Sequence, residues 1–90
     1  MRYEKILFPD QEDWEIQYDV IAYYDDKIGS LIYNTEYGWQ SVINGVIEDL
    51  YEAETEEEAK EEFKNRLENF LSGEVEYYEE LLSMVDELVN

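Results

Sequence analysis

Residues 48–62 constrain the fold of this chain more than any other stretch of its sequence. Nine of these fifteen residues are acids and only one, Lys60, is a base. The same stretch contains the clearest helix start, because Thr55 followed three residues later by Glu58 matches a capping box. A helix is therefore predicted to begin at Thr55, and the surface around its start is predicted to be strongly acidic.

Two helices are predicted in the C-terminal part of the chain. The first ends at Ser72-Gly73, since glycine is the usual residue after a helix C-terminus, and the second begins at about Val75. Because the connection between them is short, they are expected to form an antiparallel helix pair. Their apolar faces are Ala59, Phe63, Leu67, Phe70 and Leu71 in the first helix and Val75, Tyr78, Leu81, Leu82, Val85, Leu88 and Val89 in the second.

The N-terminal third of the chain predicts a three-stranded antiparallel meander. Residues 3–8 form a first strand that stops at Pro9, the only proline. Apolar and polar residues then alternate over residues 14–24, which indicates a strand with one buried face. A third strand is predicted over residues 30–36, after a hairpin connection at residues 25–29 that ends in glycine.

Residues 40–53 fit two structures. Apolar residues recur there at helical spacing, with Ser41 as a possible N-cap, which favours a helix. Asn44-Gly45 is instead a strong hairpin signal, and a glycine inside a helix costs about 1 kcal/mol. A hairpin at this turn would place Ser41 opposite Glu48 on an otherwise apolar face, so the helix is the favoured interpretation. The six apolar residues are Val42, Ile43, Val46, Ile47, Leu50 and Tyr51.

These elements predict a single acidic α+β domain over residues 1–90. Its predicted architecture is a three-stranded antiparallel meander followed by two or three helices, the last two of which form an antiparallel helix pair.

Composition excludes several classes of function. Twenty-five acids face six bases, a formal net charge of −19, so nucleic acid and membranes are not expected as direct partners. The chain has no histidine and no cysteine, which removes the commonest general base, the commonest metal ligand and any disulfide. No apolar run approaches the ~20 residues that a membrane span needs. We therefore expect no enzymatic activity, no cofactor and no metal site, and a cytoplasmic location.

Three further motifs favour structural roles. Glu58-Ala-Lys60 matches the Glu-x-Lys fragment of metal-dependent nucleases, but here it opens a helix, where a capping box and an ion pair explain it. The acidic run at residues 10–13 lacks the ligand spacing of a calcium loop. Four aromatic residues are expected at the core edge, with an interface anchor as the alternative. They are Tyr23, Tyr37, Trp39 and Tyr77.

The acidic residues are the remaining functional candidates. Residues 6–26 and residues 67–90 each contain seven acids and no lysine or arginine. Acids one helical turn apart lie about 5–6 Å from each other, which is close to the spacing of phosphates along a nucleic-acid strand. We therefore hypothesise that an acidic helical face imitates a phosphate backbone. The predicted partner-binding residues are Glu48, Asp49, Glu52, Glu56, Glu57, Glu61, Glu68, Glu76, Glu79 and Glu80.

In size, charge and mixed α+β layout the chain is similar to the small acidic inhibitors that phages use against host nucleases, such as anti-CRISPR and anti-restriction proteins. That resemblance implies a DNA mimic that occupies the basic groove of a nucleic-acid-binding protein or nuclease, as a monomer or homodimer. Two alternatives stay open: an antitoxin or immunity-type module for another basic protein, and a soluble acidic domain with no specific target.

Overall fold

A five-stranded antiparallel sheet forms most of the fold. The computed structural model describes residues 1–22, 25–73 and 79–88, and the strands lie side by side in the order of the sequence. The strands are β1 (Arg2–Lys5), β2 (Trp14–Ala22), β3 (Asp26–Asn34), β4 (Gly38–Ile43) and β5 (Val46–Asp49). A long helix α1 (Glu56–Gly73), a short helix α2 (Glu79–Met84) and a 3-10 turn (Val85–Glu87) follow. The predicted three-stranded meander is therefore wrong in its number of strands.

The two additional strands, β4 and β5, span residues 38–49, and the helix favoured for residues 40–53 is therefore also wrong. Asn44 and Gly45 form the turn between β4 and β5, with φ angles of 53° and 76°. Positive φ at both positions is the geometry that favours Asn-Gly in two-residue hairpins. Ser41 does pair with Glu48. The Glu48 carboxylate is exposed, however, and accepts a hydrogen bond from Arg66 of α1, so this register is stabilised from outside the hairpin.

The apolar side of α1 covers one face of the sheet. Ala59, Phe63, Leu67 and Leu71 recur once per helical turn, and all four are buried. They belong to one core cluster with Val20, Ala22, Leu31, Trp39 and Leu50 of the sheet and the segment after it. Gly29 permits this close approach, because a Cβ atom there would lie 2.9 Å from the Val42 carbonyl oxygen and 3.4 Å from the Phe63 ring.

The predicted antiparallel helix pair is also wrong. α2 has only six residues and passes into the 3-10 turn, so it is too short to pair with α1 along its length. Leu81, Val85 and Leu88 of the predicted apolar stripe are nevertheless buried in the same core cluster as α1. Val75, Tyr78 and Val89 lie outside the described residues.

The Thr55 half of the predicted capping box is present at the start of α1, while the Glu58 carboxylate accepts the Thr55 hydroxyl rather than the Thr55 backbone N–H. The Thr55 Oγ1 atom accepts a hydrogen bond from the Glu58 N–H at 3.2 Å, and the Thr55 hydroxyl donates to Glu58 Oε1 at 3.1 Å. The Thr55 carbonyl oxygen also accepts the first helical hydrogen bond, from the Ala59 N–H at 2.9 Å. The side chain and the backbone of Thr55 together define where α1 begins.

Replacing Thr55 with alanine is expected to lower the free energy of unfolding by about 1 kcal/mol, because one N–H in the first turn of α1 loses its acceptor. Urea unfolding measures the change. Thr35→Ala is the matched control, since the exposed Thr35 lies in the turn between β3 and β4, and its expected change is within about 0.5 kcal/mol. Equal losses in the two variants would contradict a capping role.

Candidate partner-binding surface

Five exposed carboxylates surround the start of α1. They come from the segment that precedes the helix and from its first two turns. Three of the five, with Glu62, line a shallow depression of about 290 Å³. The five residues, which we call the acidic patch, are Glu52, Glu54, Glu57, Glu58 and Glu61. The three that line the depression are Glu52, Glu58 and Glu61.

The bases of the chain are engaged elsewhere. In the described part of the chain, five of the six bases lie within 3.8 Å of a carboxylate outside the acidic patch, and Lys5 lies over the Tyr18 ring. The acidic patch therefore has no base from the described residues to neutralise it. The ion pairs are Arg2–Glu4, Lys27–Asp10, Lys27–Asp19, Lys60–Glu56, Lys64–Asp86, Arg66–Glu48 and Arg66–Glu62.

Lys60 is the one base within the acidic stretch, and it faces the sheet. Its Nζ atom lies 5.1 Å from the centre of the Tyr3 ring and 4.6 Å from that of Tyr18, distances at which cation–π attraction operates. It also lies 3.6 Å from Glu56 Oε2, while the Tyr18 hydroxyl donates to Glu56 Oε1 at 2.8 Å. Lys60 and Glu56 thus form part of the contact between α1 and the sheet, and the acidic patch lies outside it.

This contact raises the pKa of both tyrosines. Burial raises the pKa of Tyr3 from 10.0 to about 12. Burial also raises the pKa of Tyr18 to about 12, and the hydrogen bond to Glu56 and the charge of Glu56 act in the same direction. Each phenol is therefore held in its neutral form beside α1.

Stability is expected to fall as the pH rises from about 10 to about 12. The unfolded chain releases these phenol protons near pH 10 and the folded chain near pH 12, so ionisation favours the unfolded state in this window. Below pH 10 the contribution is fully present. Thermal unfolding across the window measures the loss, and Tyr18→Phe is expected to reduce it. Tyr51→Phe is the control, because Tyr51 is exposed. If the loss of stability between pH 10 and pH 12 is the same in Tyr18→Phe as in the natural protein, Tyr18 does not contribute to it.

The ten predicted partner-binding residues occupy several places. Glu52, Glu57 and Glu61 belong to the acidic patch. Glu48 and Asp49 lie on β5, where each has a partner: Glu48 pairs with Arg66, and the Asp49 carboxylate accepts a hydrogen bond from the Gln40 amide. Of the ten residues, Glu52 and Glu61 line one depression and Glu57 lies one helical turn before Glu61, whereas the β5 pair is engaged separately.

Of the other five predicted residues, the four that the structure describes belong to neither group. Glu56 faces Tyr18 and Lys60, and Glu68 is half-buried further along α1. Glu79 and Glu80 begin α2. Glu76 lies outside the described residues.

Two residues of the acidic patch, Glu54 and Glu58, were not among the predicted residues. Glu58 was assigned to the capping box, but its carboxylate remains exposed while it accepts the Thr55 hydroxyl. Glu54 lies between two strong sequence patterns, the apolar spacing of residues 40–53 and the helix start at Thr55, and it belongs to neither. The dense run of acids over residues 52–61 is the signal that includes both.

A second group of carboxylates, on the sheet face opposite α1, is compensated internally. The Gln17 amide donates to Asp10 at 3.0 Å and to Asp19 at 2.8 Å. The Ser30 hydroxyl donates to Asp19 at 2.8 Å, and Lys27 lies 3.4 Å from the same carboxylate. These bonds attach the loop between β1 and β2 to the sheet. Among residues 1–22, 25–73 and 79–88, no acidic cluster is arranged to hold a metal ion.

Two of the four aromatic candidates are described. Trp39 is buried in the core and packs edge-on against Tyr33, with ring centres 5.1 Å apart. Tyr37 is 62% exposed in the turn before β4. Tyr23 and Tyr77 lie outside the described residues.

Comparison of the chain with protein-family models, curated proteins and solved structures found no match. Of the helices that the structure describes, none combines the length and the apolar character needed to cross a membrane.

Proposed function

We propose that this protein is a non-enzymatic mimic of a nucleic-acid backbone that binds the basic groove of a nucleic-acid-binding protein or nuclease and inhibits it. The observation that supports this function is the acidic patch. Its five carboxylates are exposed, and no base of the described residues lies within ion-pairing distance of them. Exposed acids elsewhere, such as Glu12 and Glu15, also have no base partner among the described residues, so the acidic patch is distinguished by its density, five exposed carboxylates within residues 52–61.

The scaffold supports the proposal because α1 holds three of the five carboxylates, Glu57, Glu58 and Glu61, on a helix before binding. Glu57 and Glu58 lie in the first turn of α1, where the helix dipole favours negative charge, and the Thr55 cap fixes that turn. Glu61 follows Glu57 by one helical turn, at about 5–6 Å. Carboxylates on a preformed helix lose less conformational entropy on binding than flexible nucleic acid does, which favours the mimic in competition.

The net charge supports fast recognition of a basic groove. A charge of −19 on 90 residues attracts positively charged surfaces over a distance of about a Debye length, roughly 8 Å at physiological ionic strength. Such attraction raises the association rate and disfavours acidic partners. The acidic patch then supplies the local array, while the remaining acids supply the long-range field.

Competition with DNA tests the proposed function. The immobilised protein is used to capture a binding partner, and a double-stranded DNA fragment is then added at increasing concentration. We expect a nucleic-acid-binding partner that the DNA releases, with an affinity for the protein that decreases as salt is raised. A partner that binds protein and DNA simultaneously would contradict the proposal. So would a partner with no nucleic-acid-binding surface.

A further inference from the structure

β5 is an edge strand whose first two residues are apolar and whose last two, Glu48 and Asp49, are acids. It ends the sheet, and no described strand pairs with its outer side. The opposite edge, β1, carries three charged residues in a strand of four, a common protection of sheet edges. β5 instead begins with Val46 and Ile47, which are 54% and 52% exposed. The two edges of one sheet therefore differ in their readiness to accept another strand.

Backbone groups on the outer side of β5 are open to a new strand. The Leu50 N–H donates to the Trp39 carbonyl oxygen at 3.0 Å, so Leu50 is directed towards β4. Because directions alternate along a strand, the backbone groups of Ile47 and Asp49 point away from β4. The Asp49 carbonyl oxygen already accepts a bond from Arg66 at 3.1 Å. The backbone groups that can pair with a new strand are therefore the N–H and C=O of Ile47 and the N–H of Asp49.

A depression borders β5 on each side. One, of about 470 Å³, has apolar and aromatic walls formed by Tyr37, Ile47 and Tyr51. Its charged lining consists of Glu48, Asp49 and Arg66, and Arg66 is already paired with Glu48. The other, of about 330 Å³, lies towards α1 and is lined by both apolar and polar residues, among them Glu48 and Arg66. Its apolar lining consists of Ile43, Val46 and Phe70. Alternate side chains of a strand point to opposite faces, so a strand beside β5 would direct its side chains to both depressions in turn.

We propose that β5 accepts an extended segment of a basic partner protein as a sixth strand, in which arginine or lysine alternates with apolar residues. The cationic side chains would lie near Tyr37, Asp49 and Tyr51, and the apolar ones near Val46 and Phe70. Charge complementarity selects this occupant, because a second copy of the chain would bring another −19 charge to an edge flanked by acids. This binding mode does not depend on the proposed function, since it uses a different surface from the acidic patch.

A defined peptide tests the inference on the isolated protein. The probe is a peptide of about eight residues in which arginine and valine alternate, and the control has proline in place of every valine. Proline keeps the charge but removes backbone donors that strand pairing requires. We expect the arginine–valine peptide to slow amide exchange at Ile47 and Asp49, and the control to bind at least about tenfold more weakly. Equal binding of the two peptides, or protection elsewhere, would overturn the inference.

Variants separate backbone pairing from general attraction. Ile47→Pro removes the outward N–H without removing a bond to β4, and should abolish the protection of Asp49, whereas Ile47→Thr should retain it. Circular dichroism checks that both variants fold. If Ile47→Pro does not fold, the comparison of the arginine–valine peptide with its proline control decides the outcome. Glu52→Lys/Glu61→Lys should still bind the peptide, because the acidic patch is not used. Concentration-dependent protection of Ile47 without peptide would indicate a second copy as occupant, and would overturn the proposal.

Discussion

Replacing Phe63 with alanine is expected to lower the free energy of unfolding by about 3–5 kcal/mol. Phe63 is fully buried at the centre of the apolar side of α1. Its ring lies 6.3 Å from that of Tyr3, centre to centre, and 3.4 Å from where a Cβ atom of Gly29 would stand. Alanine would leave a cavity between α1 and the sheet, beside β1 and β3. Guanidinium unfolding, followed by circular dichroism, measures the loss.

Phe8 provides a matched control for this substitution. Phe8 is 81% exposed, so Phe8→Ala is expected to change the free energy of unfolding by no more than about 0.5 kcal/mol. Phe63→Leu retains most of the buried area and should lie between the two, which keeps the series informative if Phe63→Ala does not fold. A loss below about 1 kcal/mol in Phe63→Ala would mean that α1 does not pack on the sheet as described.

α1 could be predicted from the sequence because its signals are local. The capping box requires only Thr55 and Glu58, and the buried face repeats once per turn from Ala59 to Leu71. Burial of this face against the sheet agrees with the helical period. Where cap, period and burial indicate the same structure, the sequence suffices to place the element.

The β4–β5 hairpin could not be predicted in the same way, because a distant residue determines it. Apolar spacing in residues 40–53 suits a helix, and the pairing of Ser41 with Glu48 looked unfavourable. Arg66, eighteen residues after Glu48, supplies the missing partner from α1. The turn signal at Asn44-Gly45 is local and agrees with the structure, whereas the helical spacing of the apolar residues takes no account of tertiary contacts and indicates a helix.

The acidic patch could be predicted only in part, because contacts between distant residues decide which acids have a base partner. Helical spacing shows which acids share a face of α1, but it does not show where the bases point. Lys60 is directed towards Tyr3 of β1 and Tyr18 of β2. That contact removes Glu56 from the exposed acids and leaves Glu57 and Glu61 without a base. Only the packing of α1 on the sheet distinguishes these roles.

Reversing two charges of the acidic patch is expected to weaken partner binding at least about 100-fold, or roughly 2.7 kcal/mol. Glu52→Lys/Glu61→Lys places two cations in the depression that, under the proposed function, faces a basic groove. Glu57 is avoided, because a cation in the first turn of α1 opposes the helix dipole. Titration of the captured partner at moderate salt, by calorimetry or fluorescence anisotropy, measures the change.

Stability separates loss of a binding surface from loss of the fold. A lysine at position 61 would follow Glu57 by four residues, the favourable order for a helical ion pair, worth about 0.2–0.5 kcal/mol. The variant should therefore be at least as stable as the natural protein while it binds far more weakly. Glu12→Lys/Glu15→Lys changes the net charge equally at exposed positions away from the acidic patch, and should weaken binding by less than about tenfold. Equal weakening in the two double variants would mean that the partner senses total charge, and that the arrangement of carboxylates at the start of α1 is not recognised.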